Sequence, residues 1–354
     1  MSRPVQTKKR TKTRPSRNQP KPINLALQGG GAHGAFTWGV LDRLLEDERI
    51  TIEAISGTSA GAMNAVALAD GFQKHGCMGA RQALLSFWRA ASQAVCFSPF
   101  QRTPLDRLIG NWSLNTSPGY LMMDLLSRLA SPYDLNPLNL NPVRDFLAQQ
   151  IDFGSVRRCG GIKLFISATS VRTGQARIFV NTELSADAVM ASACLPFLFQ
   201  AVEIDGEPYW DGGYMGNPAL RPFIYRCATR DVLIVQINPL ETPGTPKHAW
   251  EILNRVNEIT FNSSLMAELR AIEFVTRMVD EGQLNPGRYK RMLIHRIDSE
   301  SELKPLDASS KLNAEWAFLE ELHERGYRAA DQWIAAHFDS IGRTSTLDLR
   351  AMFA

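Results

Sequence analysis

No stretch of this chain approaches 18 uninterrupted apolar residues, so no membrane-spanning helix is expected. Histidine is scarce, with six in 354 residues, and no two stand in an H-x-x-x-H relation. A metal centre therefore has no support in the spacing, and no metal or other cofactor is expected. The five cysteines, Cys77, Cys96, Cys159, Cys194 and Cys227, are odd in number and scattered, without a C-x-x-C pair. That pattern excludes a zinc ribbon and speaks against a disulfide frame; it fits buried thiols in a reducing, cytoplasmic compartment. The first 22 residues lack any acid and are almost free of apolar residues. Their charge would suit the start of a signal peptide, but the apolar run that should follow is short and strand-like, so no secretory leader is expected.

What that segment does contain is Arg3, Lys8, Lys9, Arg10, Lys12, Arg14, Arg17 and Lys21 among Pro, Ser and Thr. Removing these eight charges from the net +3 leaves −5, so the remainder is mildly acidic. Residues 1–22 read as a disordered tail that aids solubility. A second reading is peripheral contact with anionic lipid headgroups, at roughly 1 kcal/mol per basic residue near the surface. No basic stripe continues into the body of the chain, and nucleic acid is not expected as a partner. With 44% hydrophobic residues, 23–354 can bury a sizeable core as one folded domain.

The domain opens on LALQGGGAHGAF (Leu25–Phe36), an apolar strand followed by Gly29, Gly30, Gly31 and Gly34. Read literally, Gly29-x-Gly31-x-x-Gly34 is a dinucleotide fingerprint; physically it says that main-chain amides face a small anionic group. A helix follows over about Ala35–Glu46, then a second strand, Thr51–Ser56, then Gly57-Thr58-Ser59-Ala60-Gly61 and a small-residue helix that Asp70-Gly71 should close. Strand, loop and helix repeated in this order predict an α/β fold with a mostly parallel sheet between helical layers. Residues 77–140 mix Trp, Phe, Tyr and Met with Pro and Asn, which reads either as a helical insertion capping the site or as an ordinary layer of packed helices. Strands are expected again at Lys163–Ala168 and Arg177–Val180, a helix around Leu184–Ala193, and a hairpin about Asp205-Gly206. Asp231–Ile237 reads as a central parallel strand. Beyond the core at 23–239, a C-terminal extension over 250–354 should hold a long helix, Trp250–Val279, packed internally or against a partner. A last strand at Arg291–Ile297 and a helix or pair over Leu312–Phe338 complete it.

Chemistry concentrates at Gly57-Thr58-Ser59-Ala60-Gly61, a G-x-S-x-G pattern after the second predicted strand and before a helix. That placement makes a nucleophile elbow, with the Ser59 hydroxyl raised above the sheet at a helix N-terminus. A serine hydroxyl needs a base. His295 is the one late histidine in a suitable place, while Asp211, in Tyr209-Trp210-Asp211-Gly212-Gly213, offers a carboxylate with two permissive glycines behind it. Asp205 is a rival carboxylate that the hairpin turn already explains. The dinucleotide alternative needs an acid at the end of the second strand, where Ser56-Gly57 stand; Glu53 lies mid-strand.

The motifs GGGAHG, GTSAG and DGG, in that order, together with the block ASACLPFLFQ (Ala191–Gln200), resemble the patatin-like phospholipase family over about Ile23–Pro239. The resemblance implies a three-layer α/β/α fold and a lipid acyl hydrolase that uses a Ser-Asp dyad without a cofactor. It makes Ser59 the nucleophile and Asp211 the general base, with the amides of Gly29, Gly30 and Gly31 as the oxyanion hole and that of Ala60 adding to it. Gly34, Gly57, Gly61, Gly212 and Gly213 would support the turns. The opening stretch would then face a developing alkoxide, each donor typically worth about 3 kcal/mol in the transition state. The family usually has Arg or Lys two residues after the third glycine; His33 stands there, and is expected to donate a hydrogen bond instead. The substrate implied is a phospholipid or related lipid. The alternatives are a non-phospholipid ester such as a storage polyester, or a non-catalytic lipid-binding or signalling module of the same fold.

Overall fold

The computed structural model of the protein describes residues 20–95, 98–242, 244–247, 249–298, 303 and 306–353. The readings of the tail up to residue 19, and of Cys96, fall outside the described residues. The chain enters the fold earlier than expected, because Lys21 already belongs to β1 (Lys21–Leu27) and its Nζ donates to the Phe338 carbonyl at 2.7 Å. After β1 come α1 (Gly34–Glu46), β2 (Ile50–Gly57) and α2 (Ala60–Ala94). Five shorter helices follow: α3 (Pro104–Leu108), α4 (Pro118–Leu129), α5 (Pro132–Leu135), α6 (Pro142–Gln150) and α7 (Phe153–Arg158). The chain then forms β3 (Lys163–Ser170), β4 (Ala176–Val180), α8 (Ala186–Ser192), β5 (Val202–Ile204), β6 (Glu207–Asp211) and α9 (Arg221–Arg226). It finishes with β7 (Asp231–Gln236), α10 (Ala249–Asp280), β8 (Leu293–Asp298), α11 (Trp316–His337) and α12 (Leu349–Phe353).

The eight strands form one sheet in the order β5-β6-β3-β2-β1-β7-β8, with β4 also paired to β3. The run β3-β2-β1-β7-β8 is parallel throughout, and β4, β5 and β6 add antiparallel pairs at one end. Alternation along the central strands sorts side chains into two apolar layers. Leu25, Leu27, Leu233 and Val235 join α1, α2 and α11 on one face, whereas Ala26, Val232 and Ile234 join α9 and α10 on the other. The result is the three-layer α/β/α arrangement with a mostly parallel sheet.

The pairing of β3 places the turn after β2 beside the turn after β6. β4 covers Phe165–Thr169 along one edge of β3, so β2 and β6 share the opposite edge. On that edge β2 ends with Gly57 opposite Ile166, and β6 ends with Asp211 opposite Ala168, two residues further along. The strand that delivers the elbow therefore stops where the strand carrying Asp211 arrives from the other direction.

Two expectations change. The helix after Ser59 does not close at Asp70-Gly71; it runs on to a break at His75–Gly76, where Gly76 has φ +60°. Gly71 instead permits close packing of the two halves, since a side-chain carbon there would lie 2.2 Å from the Gly79 carbonyl oxygen. Residues 77–94 are therefore not part of a cap: Ala80, Leu84, Phe87 and Trp88 are core. The mixed texture continues in α3–α6, where Pro104, Pro118, Pro132 and Pro142 each start a helix. Proline there gives up an amide that has no intrahelical acceptor. Helix α4 has no buried residue, and Leu121, Met122, Leu125 and Leu129 are all more than half exposed. At the C-terminal end, Leu312–Phe338 resolves into a short 3-10 turn, Ala308–Leu312, and the single helix α11. The described cysteines are unpaired; Cys159 and Cys194 are buried as expected, but Cys77 is exposed. Among the described residues no helix is long and apolar enough to cross a membrane.

Candidate active site

Ser59 occupies the turn between β2 and α2 with φ 53° and ψ −121°. A non-glycine residue held there stores roughly 1–3 kcal/mol of strain, so the surroundings must fix it. They do so on both sides. The Ser59 amide donates to Ser192 Oγ at 2.9 Å, and Thr58 Oγ1 donates to the Gly216 carbonyl at 2.5 Å. Below the turn, Gly61 donates its N–H to the Thr58 carbonyl at 2.8 Å. A side-chain carbon on Gly61 would sit 2.3 Å from the Leu27 carbonyl oxygen, so only glycine lets α2 start this close to the end of β1. The Ala60 amide is at the first position of α2, among the N–H groups that lack an intrahelical acceptor.

Asp211, the last residue of β6, is 3% exposed. Its amide donates to the Cys194 carbonyl at 2.8 Å, and its Oδ1 accepts the Gly213 amide at 2.6 Å. The turn Gly212–Tyr214 thus folds back to hold the carboxyl. Ser59, 152 positions away in the chain, is near enough for its side chain to favour the charged form of this carboxyl. Burial pushes Asp211 from 3.8 up to about 7, against the Gly213 amide and the Ser59 side chain, which favour the charged form. The same burial, with the Asp211 charge adding to it, pushes the neighbouring Cys194 thiol up to about 12, which leaves it inert.

The glycine loop lies against the elbow. A side-chain carbon on Gly29 would be 2.8 Å from Ser59 Cβ, and one on Gly34 would be 2.7 Å from Ala60 Cβ. The loop is held by a buried amide frame built on Gln28. Its Oε1 accepts the amides of Ile237 and Asn238 at 2.9 and 3.0 Å, and its Nε2 donates to Asn262 Oδ1 at 3.0 Å. Asn238 Nδ2 donates to the Gly29 carbonyl at 2.8 Å. The Gly29 amide, expected among the anion donors, is already given to Asn217 Oδ1 at 2.7 Å. Gly29 is thereby part of the frame, while Gly30 and Gly31 lead into the 3-10 turn Gly31–His33.

His33 is buried, and its Nε2 lies 2.8 Å from Ser310 Oγ. Ser310 gives its own hydroxyl proton to the Asp307 carbonyl at 2.6 Å, so His33 is the donor to Ser310. Burial, with repulsion from Lys311, lowers His33 to about 3, and the ring carries no charge at neutral pH. The other candidates stand elsewhere. His295 is in the middle of β8 rather than at its end, with Nε2 3.0 Å from Asp231 Oδ1 and Nδ1 3.1 Å from Thr346 Oγ1. Both ring nitrogens are occupied by a structural network. Asp205 sits exposed in the β5–β6 hairpin, where it and Gly206 both have positive φ. Glu53 accepts the Ala228 and Thr229 amides at 2.6 and 2.7 Å and binds Lys163. Its place at the foot of the sheet fits no ribose. No group of three or more His, Cys, Asp or Glu residues arranged for a metal occurs among the described residues.

Sequence reasoning missed Ser192, Asn217, Asn238 and Lys311. Ser192 was inside the quoted block Ala191–Gln200, but its role is set by a contact 133 residues back in the chain.

The chain belongs to the patatin-like phospholipase family, whose pattern it matches over residues 25–224. At family level that makes it a lipid hydrolase. No match was found among curated proteins. Among solved structures it is similar to VipD from Legionella pneumophila, with 15% identity and a TM-score of 0.39 over 90% of this chain and 67% of that one. It is also similar to ExoU in its heterodimeric complex with SpcU, from the type III secretion system of Pseudomonas aeruginosa. There the identity is 18% and the TM-score 0.33, over 87% of this chain and 52% of the other. The chain thus spans about half the length of that ExoU chain.

Proposed function

We propose that Ser59 and Asp211 form the catalytic dyad of a carboxylic ester hydrolase acting on phospholipids or related lipid esters. The observation that carries this reading is a strained serine elbow beside a glycine loop, with a buried carboxyl whose charged form the Ser59 side chain favours. Asp211 accepts the hydroxyl proton as Ser59 Oγ attacks the ester carbonyl. A base with a pKa of about 7 suits this task, because about half of it is ionised at neutral pH and it still binds a proton well. The amides of Gly30 and Gly31, with that of Ala60 at the head of α2, face the oxyanion; Gly29 keeps the loop in place. Collapse returns the proton to the leaving alcohol and leaves an acyl-enzyme. Asp211 then deprotonates a water that attacks the acyl carbonyl, and the fatty acid departs from regenerated Ser59.

The exposed Leu and Met side chains of α4 favour a lipid-facing role for the cap, since patches of this kind mark contact surfaces. The basic tail would add a peripheral attraction to anionic headgroups. The test is hydrolysis of a p-nitrophenyl acyl ester and of phospholipid vesicles by the wild type, Ser59→Ala and Asp211→Asn. Both variants should lose turnover while remaining folded. An equal slow rate in all three would favour the non-catalytic lipid-binding module.

A further inference from the structure

The C-terminal extension, beyond the residues that match the family, reaches the back of the glycine loop. Its 3-10 turn Ala308–Leu312 packs on the turn Gly31–His33, and the Lys311 carbonyl oxygen lies 2.3 Å from where a side-chain carbon on Gly31 would project. Lys311 Nζ donates to Asn238 Oδ1 at 2.8 Å. Asn238 Nδ2 donates in turn to the Gly29 carbonyl at 2.8 Å. That carbonyl belongs to the same peptide unit as the Gly30 N–H. An ammonium, a carboxamide and a peptide group are thus joined head to tail, each donor pulling electron density from the next.

We infer that Lys311 is a positioning residue for the reaction, its ammonium polarising the Gly30 amide through Asn238 so that this N–H binds the oxyanion more strongly. The inference rests on the reading of Ser59 and the loop as an ester hydrolase site. Bonds in a hydrogen-bonded chain strengthen each other by about 10–30% per bond, and the effect is largest away from water. His33, on the facing turn Gly31–His33, is neutral and supplies no charge here. The groups facing Lys311 are Glu258 on α10, which favours its protonation, and neutral His33; burial outweighs Glu258 and lowers the lysine below 10.5.

The experiment measures kcat and KM for a short p-nitrophenyl ester as a function of pH in the full chain, for the wild type, Lys311→Met, Lys311→Arg and Ser59→Ala. Lys311→Met should lose about three- to twentyfold in kcat with KM little changed, a fraction of what removing an oxyanion donor costs. Lys311→Arg should recover most of it. Wild-type kcat should fall on the alkaline side, below the ordinary lysine range, and Lys311→Arg should lack that limb; a packing role would leave the limb in both. Tyr214 and Cys194, both pushed up to about 12, titrate too high to mimic it. A wild-type profile flat through this range overturns the inference even if Lys311→Met fails to fold. So does unchanged kcat in a folded Lys311→Met. If Ser59→Ala is inactive, either result removes only the role of Lys311; if Ser59→Ala still turns over, the ester hydrolase reading itself falls.

Discussion

Replacing Asp211 by Asn should make the protein more stable as it makes it inactive, and the gain should depend on pH in a set way. The carboxyl is buried, and its folded-state pKa is about 7 against 3.8 for the ordinary group. Between those values the folded protein keeps a proton that the unfolded chain has released. Wild-type stability therefore falls by about 1.4 kcal/mol per pH unit from about pH 4 to about pH 7 on account of this group, then levels off. The whole effect is about 4 kcal/mol, fully present as stability below the unfolded value and lost as pH rises through the folded one. Asparagine keeps the Oδ1 acceptor used by the Gly213 amide and has nothing to ionise. Urea unfolding of both proteins across this range should show the stability difference, Asp211→Asn minus wild type, growing by about 4 kcal/mol and flat above about pH 7. A difference constant with pH would mean that the carboxyl is not shifted by folding, and one that shifts toward the wild type as pH rises would mean that the site stabilises the carboxylate. A base tuned by burial would then be ruled out.

Other expectations follow from the same geometry. For the chromogenic ester, kcat/KM should rise with an apparent pKa of about 7, set by Asp211, and His33→Gln should leave that midpoint in place because the histidine is already neutral. A shift of more than about one unit in the variant would assign the titration to His33 instead. His295→Ala should cost about 1–3 kcal/mol by leaving buried Asp231 with the Gly342 amide in place of two partners, while kcat per folded molecule stays at the wild-type value; loss of turnover would restore the histidine as a candidate base. Asn217→Ala strips the Gly29 amide of its acceptor and should cost a similar about 1–3 kcal/mol, with kcat reduced more than KM is raised. Unaltered kcat there would show that the loop holds its shape without this anchor.

The alternating elements, the elbow and the Asp211 turn were legible because each rests on local chemistry. A strand, a G-x-S-x-G turn and a helix former run within about 20 residues, and the Asp205-Gly206 turn adopts the positive φ values that those residue types allow. What was not legible is set by contacts between distant segments. Gly71 looked like a helix stop, yet its role is to let the two halves of α2 touch, and Gly76 makes the break. The Gly29 amide looked free until Asn217, 188 residues away, was found to accept it. Lys311 is an unremarkable residue in a short polar stretch, and only the packing of the C-terminal extension puts its ammonium behind the loop. His295 was misjudged for the same reason, as its partner Asp231 lies on the adjacent strand.

The most direct test of the dyad is rapid-quench intact-mass spectrometry of the protein mixed with a p-nitrophenyl acyl ester, followed by peptide mapping. The account predicts a transient acyl adduct on Ser59 in the wild type, absent in Ser59→Ala and greatly slowed in Asp211→Asn. An adduct on any other residue, or product formed by Ser59→Ala at the wild-type rate, would contradict it.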